Sequence, residues 1–243
     1  MRLEPNEQAL FEAVAAARAS RTPMASRGQA WGLSLAQAYR VQAAAGEGRM
    51  PKGYKLGLTS PAKQVQMGMN APAYGRVYAD MLLEDEAPLS RFVQPRLEPE
   101  VAVILREPVP AGAGPMAAWR AVSGVFLAVD ILDSVWAGYR FTAQEVVADN
   151  TSGGAFFLGP RISADHLTGT LRLYLNGELR AEGPVEDLGD PGDRLAWLAS
   201  QADGLYPGQV IFLGSPAASV PAEPGVIEVM GQGGCQLVAR LVP

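Results

Sequence analysis

Apolar residues recur at helical spacing in two N-terminal windows, 6 to 20 and 34 to 46, and both are rich in Ala, Leu, Gln and Arg. That periodicity, carried by good helix formers, predicts an α-helical N-terminal section. Past the break "GEGRMPKGYK" the pattern changes to short runs of strand character: "YKLGL", "RVYADML", "EVAVILR", "SGVFLAVDIL", "AFFLG", "LRLYL", "QVIFLG", "VIEVM" and "CQLVARLV". Their β-branched and aromatic content predicts a β-rich remainder. One further helix is expected over 193 to 203, with Asp193 capping "RLAWLASQA". "LRLYLNGELRAEG" reads as a hairpin, because Asn176-Gly177 tolerates the positive φ of a type I′ turn. The pattern describes an α+β chain, with a helical section at 1–50 and a β-structured unit at 51–243, expected to form one compact body.

Composition narrows the function classes. The formal net charge of −5 comes with no cluster of Lys or Arg, which argues against a nucleic-acid partner. The N-terminus "MRLEPNEQALFEAVAAARASR" interrupts every apolar run with charge, unlike a signal peptide or a membrane span, so the expected compartment is the cytoplasm. The single cysteine, Cys235, cannot form an internal disulfide, and the 27 Gly and 19 Pro point to many turns. A zinc site or a Ser-His-Asp triad would have to draw on the one histidine, His166, whose polar setting "SADHLTG" reads instead as a turn or surface position. No G-x-G-x-x-G or Walker loop supports a nucleotide cofactor.

The candidate chemistry lies in "QPRLEPEVAVILR". In an extended strand side chains alternate, so Glu98 and Glu100 project from one face, about 7 Å apart at the backbone. The opposite face carries Leu97, Val101, Val103 and Leu105, which makes both sides of the strand look covered just past the carboxylates. A third acid, Asp130, stands in the apolar run "GVFLAVDILDS", where an unpaired carboxylate must protonate or find a cation. Three carboxylates without nearby imidazole or thiolate describe a hard oxygen site for Mg²⁺ or Mn²⁺, and also for Ca²⁺. Pro99 lacks an N–H, so this end of the strand is expected at an edge or a bulge. Lys55 in "GYKLGLTS" is the candidate counter-charge for an anionic ligand; an ordinary surface lysine is the alternative.

These segments resemble the fumarylacetoacetate hydrolase superfamily, and within it the 2-oxopent-4-enoate (2-hydroxypentadienoate) hydratases and 4-oxalocrotonate decarboxylases. "AYRVQ", "GYKLGLTS", "YADM", "QPRLEPEVAVIL", "DILDS", "VADNTSGGAFFLG" and "VIFLGS" occur in the family's order from about residue 35 to the C-terminus. The resemblance implies a mixed, rolled β-structure, self-association into a homo-oligomer, and a metal held by Glu98, Glu100 and Asp130. It implies catalytic roles for Lys55 and Asp80, the latter known only from the resemblance. Leu56 and Ser152, in two of these motifs, and Arg140, after "DILDS", are expected to contact substrate; Trp136 and Tyr139 either line the pocket or serve as partial core. The chain departs from the pattern at three points: Asp130 replaces the hydratases' usual Glu, Gly153 a serine, and Ala217 a threonine.

The implied reaction is Mg²⁺-dependent hydration of a 2-oxo or 2-hydroxy-alkenoate such as 2-hydroxypenta-2,4-dienoate. Decarboxylation of 2-oxohex-3-enedioate (4-oxalocrotonate) is the second reading, because the same stabilised enolate serves both. Hydrolysis in the manner of the superfamily's C–C hydrolases ranks below, since those use a histidine ahead of the metal-binding strand. From another class, the two missing hydroxyls motivate a non-catalytic binder of metal-chelated 2-oxo acids.

Overall fold

The computed structural model describes residues 2–164 and 167–243, so the expectation for His166 lies outside the described residues. The helical N-terminal section is α1 (Pro5–Ser20) and α2 (Leu35–Ala45). There follow β1 (Gly53–Gly57), α3 (Pro61–Gln66), β2 (Ala73–Val77), β3 (Leu82–Leu83), β4 (Glu86–Pro88), β5 (Pro95–Leu105), α4 (Pro115–Arg120) and β6 (Val122–Asp133). The rest comprises α5 (Ala143–Ala148), β7 (Gly153–Ile162), β8 (Thr170–Leu175), β9 (Glu178–Pro184), α6 (Pro191–Gln201), β10 (Val210–Phe212), β11 (Val220–Pro221), β12 (Gly225–Met230) and β13 (Gln236–Val242). This is an α+β fold.

Local chemistry explains the helix ends. Capping boxes pair Glu4 with Glu7 at α1 and Ser34 with Gln37 at α2. Helix α6 begins two residues before the sequence-based expectation: Asp190, not Asp193, is its cap, and accepts from the backbone N–H groups of Gly192 and Asp193. Pro191 has no N–H to satisfy and a φ preset for the first helical position, so the helix starts there. The six-residue helices α3, α4 and α5 are too short to show a hydrophobic period, so the apolar pattern along the chain does not predict them. The expected hairpin forms between β8 and β9, with Asn176 and Gly177 at φ 55° and 79°.

The larger sheet runs β2-β1-β10-β5-β6-β7-β3, with β11 also on β5; the smaller runs β4-β13-β12-β8-β9. Leu97, Val101, Val103 and Leu105 of β5, with Leu127, Val129 and Ile131 of β6, pack against Leu173, Ile227 and Val229 of the smaller sheet. Each is at most 2% exposed; such burial contributes about 1.5–3 kcal/mol per side chain. A second cluster joins α1 and α2 to Val147 and Ala148 of α5. Trp136 is fully buried there and donates to the Glu145 carbonyl, so of the two aromatic candidates it belongs to the core.

Strand β5 is interior, not an edge. Nevertheless β10 pairs only with its residues 102–104 and β11 only with 96–97, so the ladder on that side is interrupted around Pro99. The missing N–H therefore falls where no neighbouring strand needs it, and the interruption leaves room beside Glu98 and Glu100.

Candidate active site

Glu98 and Asp130 are direct partners in the antiparallel β5–β6 ladder, with Glu100 two residues along the same face. Ligand oxygens of all three lie within 4.8 Å of one another. Parallel pairing of β1 with β10 brings Lys55 to the same face, its Nζ 2.6 Å from Asp130 Oδ2. Lys55, Glu100 and Asp130 are at most 1% exposed, while Glu98 is partly open to a cavity. Gly53 and Gly57 are small for packing reasons: a Cβ would come within 1.8 Å of the Val210 carbonyl oxygen and 2.6 Å of Thr151, respectively.

Burial sets the electrostatics. It pushes the Glu98 carboxyl up to about 7 despite the opposing Lys63 and Lys55 charges. Glu100 is raised well above its ordinary range by burial and by Asp130. Asp130 is also raised by burial, with Lys55 opposing. For Lys55 itself burial favours loss of the proton, but Asp130, Glu100 and Glu98 outweigh it and raise its pKa. Glu100 Oε1 and Asp130 Oδ1 are buried without a hydrogen-bond partner. When all three acids are ionised, their charge against Lys55 is −2, and a hard dication fits both that deficit and the orphaned oxygens.

A pH dependence follows. Because the folded-state Glu98 value lies above the ordinary 4.5, its contribution to metal-free stability is present below pH 4.5 and lost as pH rises through about 7. A dication compensates the ionised cluster, so the rise in Tm caused by Mg²⁺ is expected to be larger at pH 8 than at pH 6. Melting curves with Mg²⁺ or with chelator at the two values check this; a larger rise at pH 6 contradicts it.

The cavity beside the acids, of about 430 Å³, is lined in part by Lys55, Leu56, Lys63, Glu98, Arg140 and Ser152. Leu56 packs in the core at 1% exposure and borders the cavity. Ser152 is 2% exposed and its Oγ has no protein partner. It ends a run of three left-handed residues, Asn150, Thr151 and Ser152, at φ 51°, 54° and 53°. Such conformations cost roughly 1–2 kcal/mol each outside glycine. Side chains hold the run in place: Asn150 Oδ1 accepts from the Arg76 N–H at 2.7 Å, and Thr151 Oγ1 donates to the Tyr74 carbonyl at 2.8 Å.

Asp80 is not brought to this cavity. It follows β2 and precedes β3, which lies at the far edge of the sheet beyond β7. Its carboxylate is exposed, bonded to Arg49 and 3.9 Å from Arg91, and it lines a separate cavity of about 490 Å³. Gly153 lines that second cavity too, whereas Ala217 is buried at 6% exposure. Ser215 and Ser219 line the first cavity together with Tyr139, and Ser219 Oγ accepts from Arg96 Nε at 2.8 Å. No local pattern marks Lys63, Ser215 or Ser219 as site residues; Ser215 closes "VIFLGS", but only the fold brings it to the cavity that Glu98 lines.

Residues 60–240 match the family model "Fumarylacetoacetate (FAA) hydrolase C-terminal". A 4-oxalocrotonate decarboxylase from Pseudomonas sp is 32% identical over 200 residues, covering 78% of this chain and 76% of that protein. A 2-oxo-hept-4-ene-1,7-dioate hydratase from Escherichia coli is 31% identical over 221 residues, covering 79% and 81%. Among solved structures, the 4-oxalocrotonate decarboxylase from Pseudomonas putida G7 complexed with magnesium and adipate superposes with a TM-score of 0.89 at 29% identity, covering 100% of both chains. With acids, lysine and cavity arranged as described, and with a family model spanning most of its length, the chain belongs to the fumarylacetoacetate hydrolase family.

Proposed function

We propose that the protein is a divalent-cation-dependent lyase that hydrates a 2-oxo or 2-hydroxy-alkenoate of the 2-hydroxypenta-2,4-dienoate type. The observation that carries this reading is the Glu98–Glu100–Asp130 cluster, with two buried oxygens unpartnered, beside a buried lysine and a cavity. A cation held by the three acids supplies Lewis-acid stabilisation of negative charge on a 2-oxo oxygen. Lys55, kept protonated by its acidic neighbours, balances the substrate's carboxylate and can give a proton at Nζ. The Ser152 hydroxyl, with no partner of its own, is available to hold a water or a substrate oxygen. Relatives include both hydratases and decarboxylases, and both activities are lyase chemistry.

Decarboxylation is the second reading, and a specific feature favours it. Lys63 and Arg140 bring two further cations to the cavity wall, which suits a substrate with a second carboxylate. Supplying 2-hydroxypenta-2,4-dienoate and 2-oxohex-3-enedioate with Mg²⁺, and following hydrated product and released CO₂, separates the two. Turnover of neither, with stoichiometric oxalate binding, would instead support a non-catalytic binder.

None of the described helices is long and apolar enough to cross a membrane. The working form we infer is a cytoplasmic homo-oligomer. Partly exposed apolar side chains on the acid-bearing face of the larger sheet, including Leu82, Ile104 and Leu158, support self-association.

A further inference from the structure

Arg194, on α6, carries a feature that the proposed chemistry does not use. Its Nη1 donates to the carbonyl of Leu213. The N–H of that same peptide unit, belonging to Gly214, donates to Glu100 Oε2 at 3.2 Å. A cation on a peptide oxygen polarises the amide and makes its N–H a stronger donor. One rigid, planar unit thus connects the guanidinium to one oxygen of Glu100, while the other oxygen is left without a partner.

The peptide is fixed in place independently. The Leu213 N–H donates to the Val101 carbonyl at 2.9 Å, which anchors the chain as it leaves β10. Gly214 takes φ 95°, a conformation suited to glycine, and a Cβ there would lie 2.8 Å from Thr59 Cγ2. The backbone is therefore shaped so that this N–H can approach Glu100 within the gap that β10 and β11 leave along β5.

We propose that Arg194 is a positioning residue for the metal centre: acting through the Leu213–Gly214 peptide, it holds one oxygen of Glu100 and aims the other at the cation. The inference rests on the metal-centre reading above. Simple charge repulsion has the opposite sign, since deleting a positive charge near a cation site should tighten binding. Positioning also predicts altered selectivity. Mg²⁺ demands near-ideal octahedral geometry, whereas Ca²⁺ accepts longer and more variable bonds.

Calorimetric titration of Mg²⁺ and Ca²⁺ into wild type, Arg194→Lys and Arg194→Met tests this, with Arg194→Gln in reserve if the methionine variant does not fold. Arg194→Met is expected to lose about tenfold in Mg²⁺ affinity, the scale on which groups orienting a metal ligand act, and about threefold or less in Ca²⁺ affinity. Arg194→Lys, which keeps a charged donor, should recover most of the Mg²⁺ loss. Unchanged or tighter Mg²⁺ binding in Arg194→Met, or equal losses for the two ions, overturns the inference. Glu98→Gln serves as the control: if it too binds Mg²⁺ normally, the metal-centre reading itself fails, whereas its loss beside a normal Arg194→Met sinks only the role of Arg194.

Discussion

Replacing Glu98 by Gln is expected to lower Mg²⁺ affinity by at least about a hundredfold and take turnover to background, while the metal-free protein melts no lower than wild type. The neutral amide keeps the side chain's shape but removes one of three charges that a hard dication requires. Folding should tolerate the change because burial already holds this carboxyl at about 7, so at neutral pH its ionised form is costly to the folded state. Removing that charge also relieves Asp130 and Glu100, which lie within 4.8 Å. Calorimetry and thermal melting on the same preparation give both numbers. Wild-type Mg²⁺ affinity in this variant would falsify the metal assignment, whatever the activity.

Lys55→Met should behave in the opposite manner, damaging the metal-free fold first. The methionine nearly fills the lysine's volume, but Asp130, fully buried and 2.6 Å from Nζ, loses its charge partner. Breaking a buried pair in this way costs about 3–5 kcal/mol. The cost should depend on pH with a defined sign. Without Lys55 the Asp130 carboxyl rises further above its ordinary 3.8, so stability retained at low pH is lost as pH increases through the higher value. Melting the metal-free variant is expected to show a small deficit near pH 5, a large one at pH 8, and substantial recovery of the latter with Mg²⁺. Turnover should fall by about 10²–10⁴-fold, the range for a lost proton-transfer group, even with the metal site filled. A deficit independent of pH would indicate lost packing instead of a lost charge partner.

The contrast between these variants shows why some of the site was legible before the fold. Glu98 and Glu100 announce themselves through strand alternation, and Asp130 through its position in an apolar run, because a charge where water is excluded needs a reason. Lys63 and Arg194 give no such signal. Each sits on a helix that reads as ordinary amphipathic or turn sequence, and each reaches the site across chain separations that no local pattern encodes. Asp80 illustrates the converse: its motif is recognisable, yet in this chain its carboxylate turns to Arg49 and Arg91 at another cavity. Pro99 was informative in a modified sense. It marks an interruption in pairing within an interior strand, not the edge of the sheet.

By itself the sequence determined the periodicities, and with them the helical N-terminal section, most of the longer strands, the Asn176-Gly177 turn and the pairing of acids on one strand face. These follow from dihedral preference and side-chain alternation, which act over a few residues. "RVYADML", which reads as a strand, instead leaves β2 at Val77 for a helical turn over Ala79–Met81. Only the tertiary structure decided that β6 lies against β5 in the register opposing Asp130 to Glu98, and that β1 reaches the same face through β10. It also decided that the Leu213–Gly214 peptide fills the gap beside Pro99. Those choices come from burying both sheets' apolar faces against each other, a free energy summed over the whole chain and carried by no single segment.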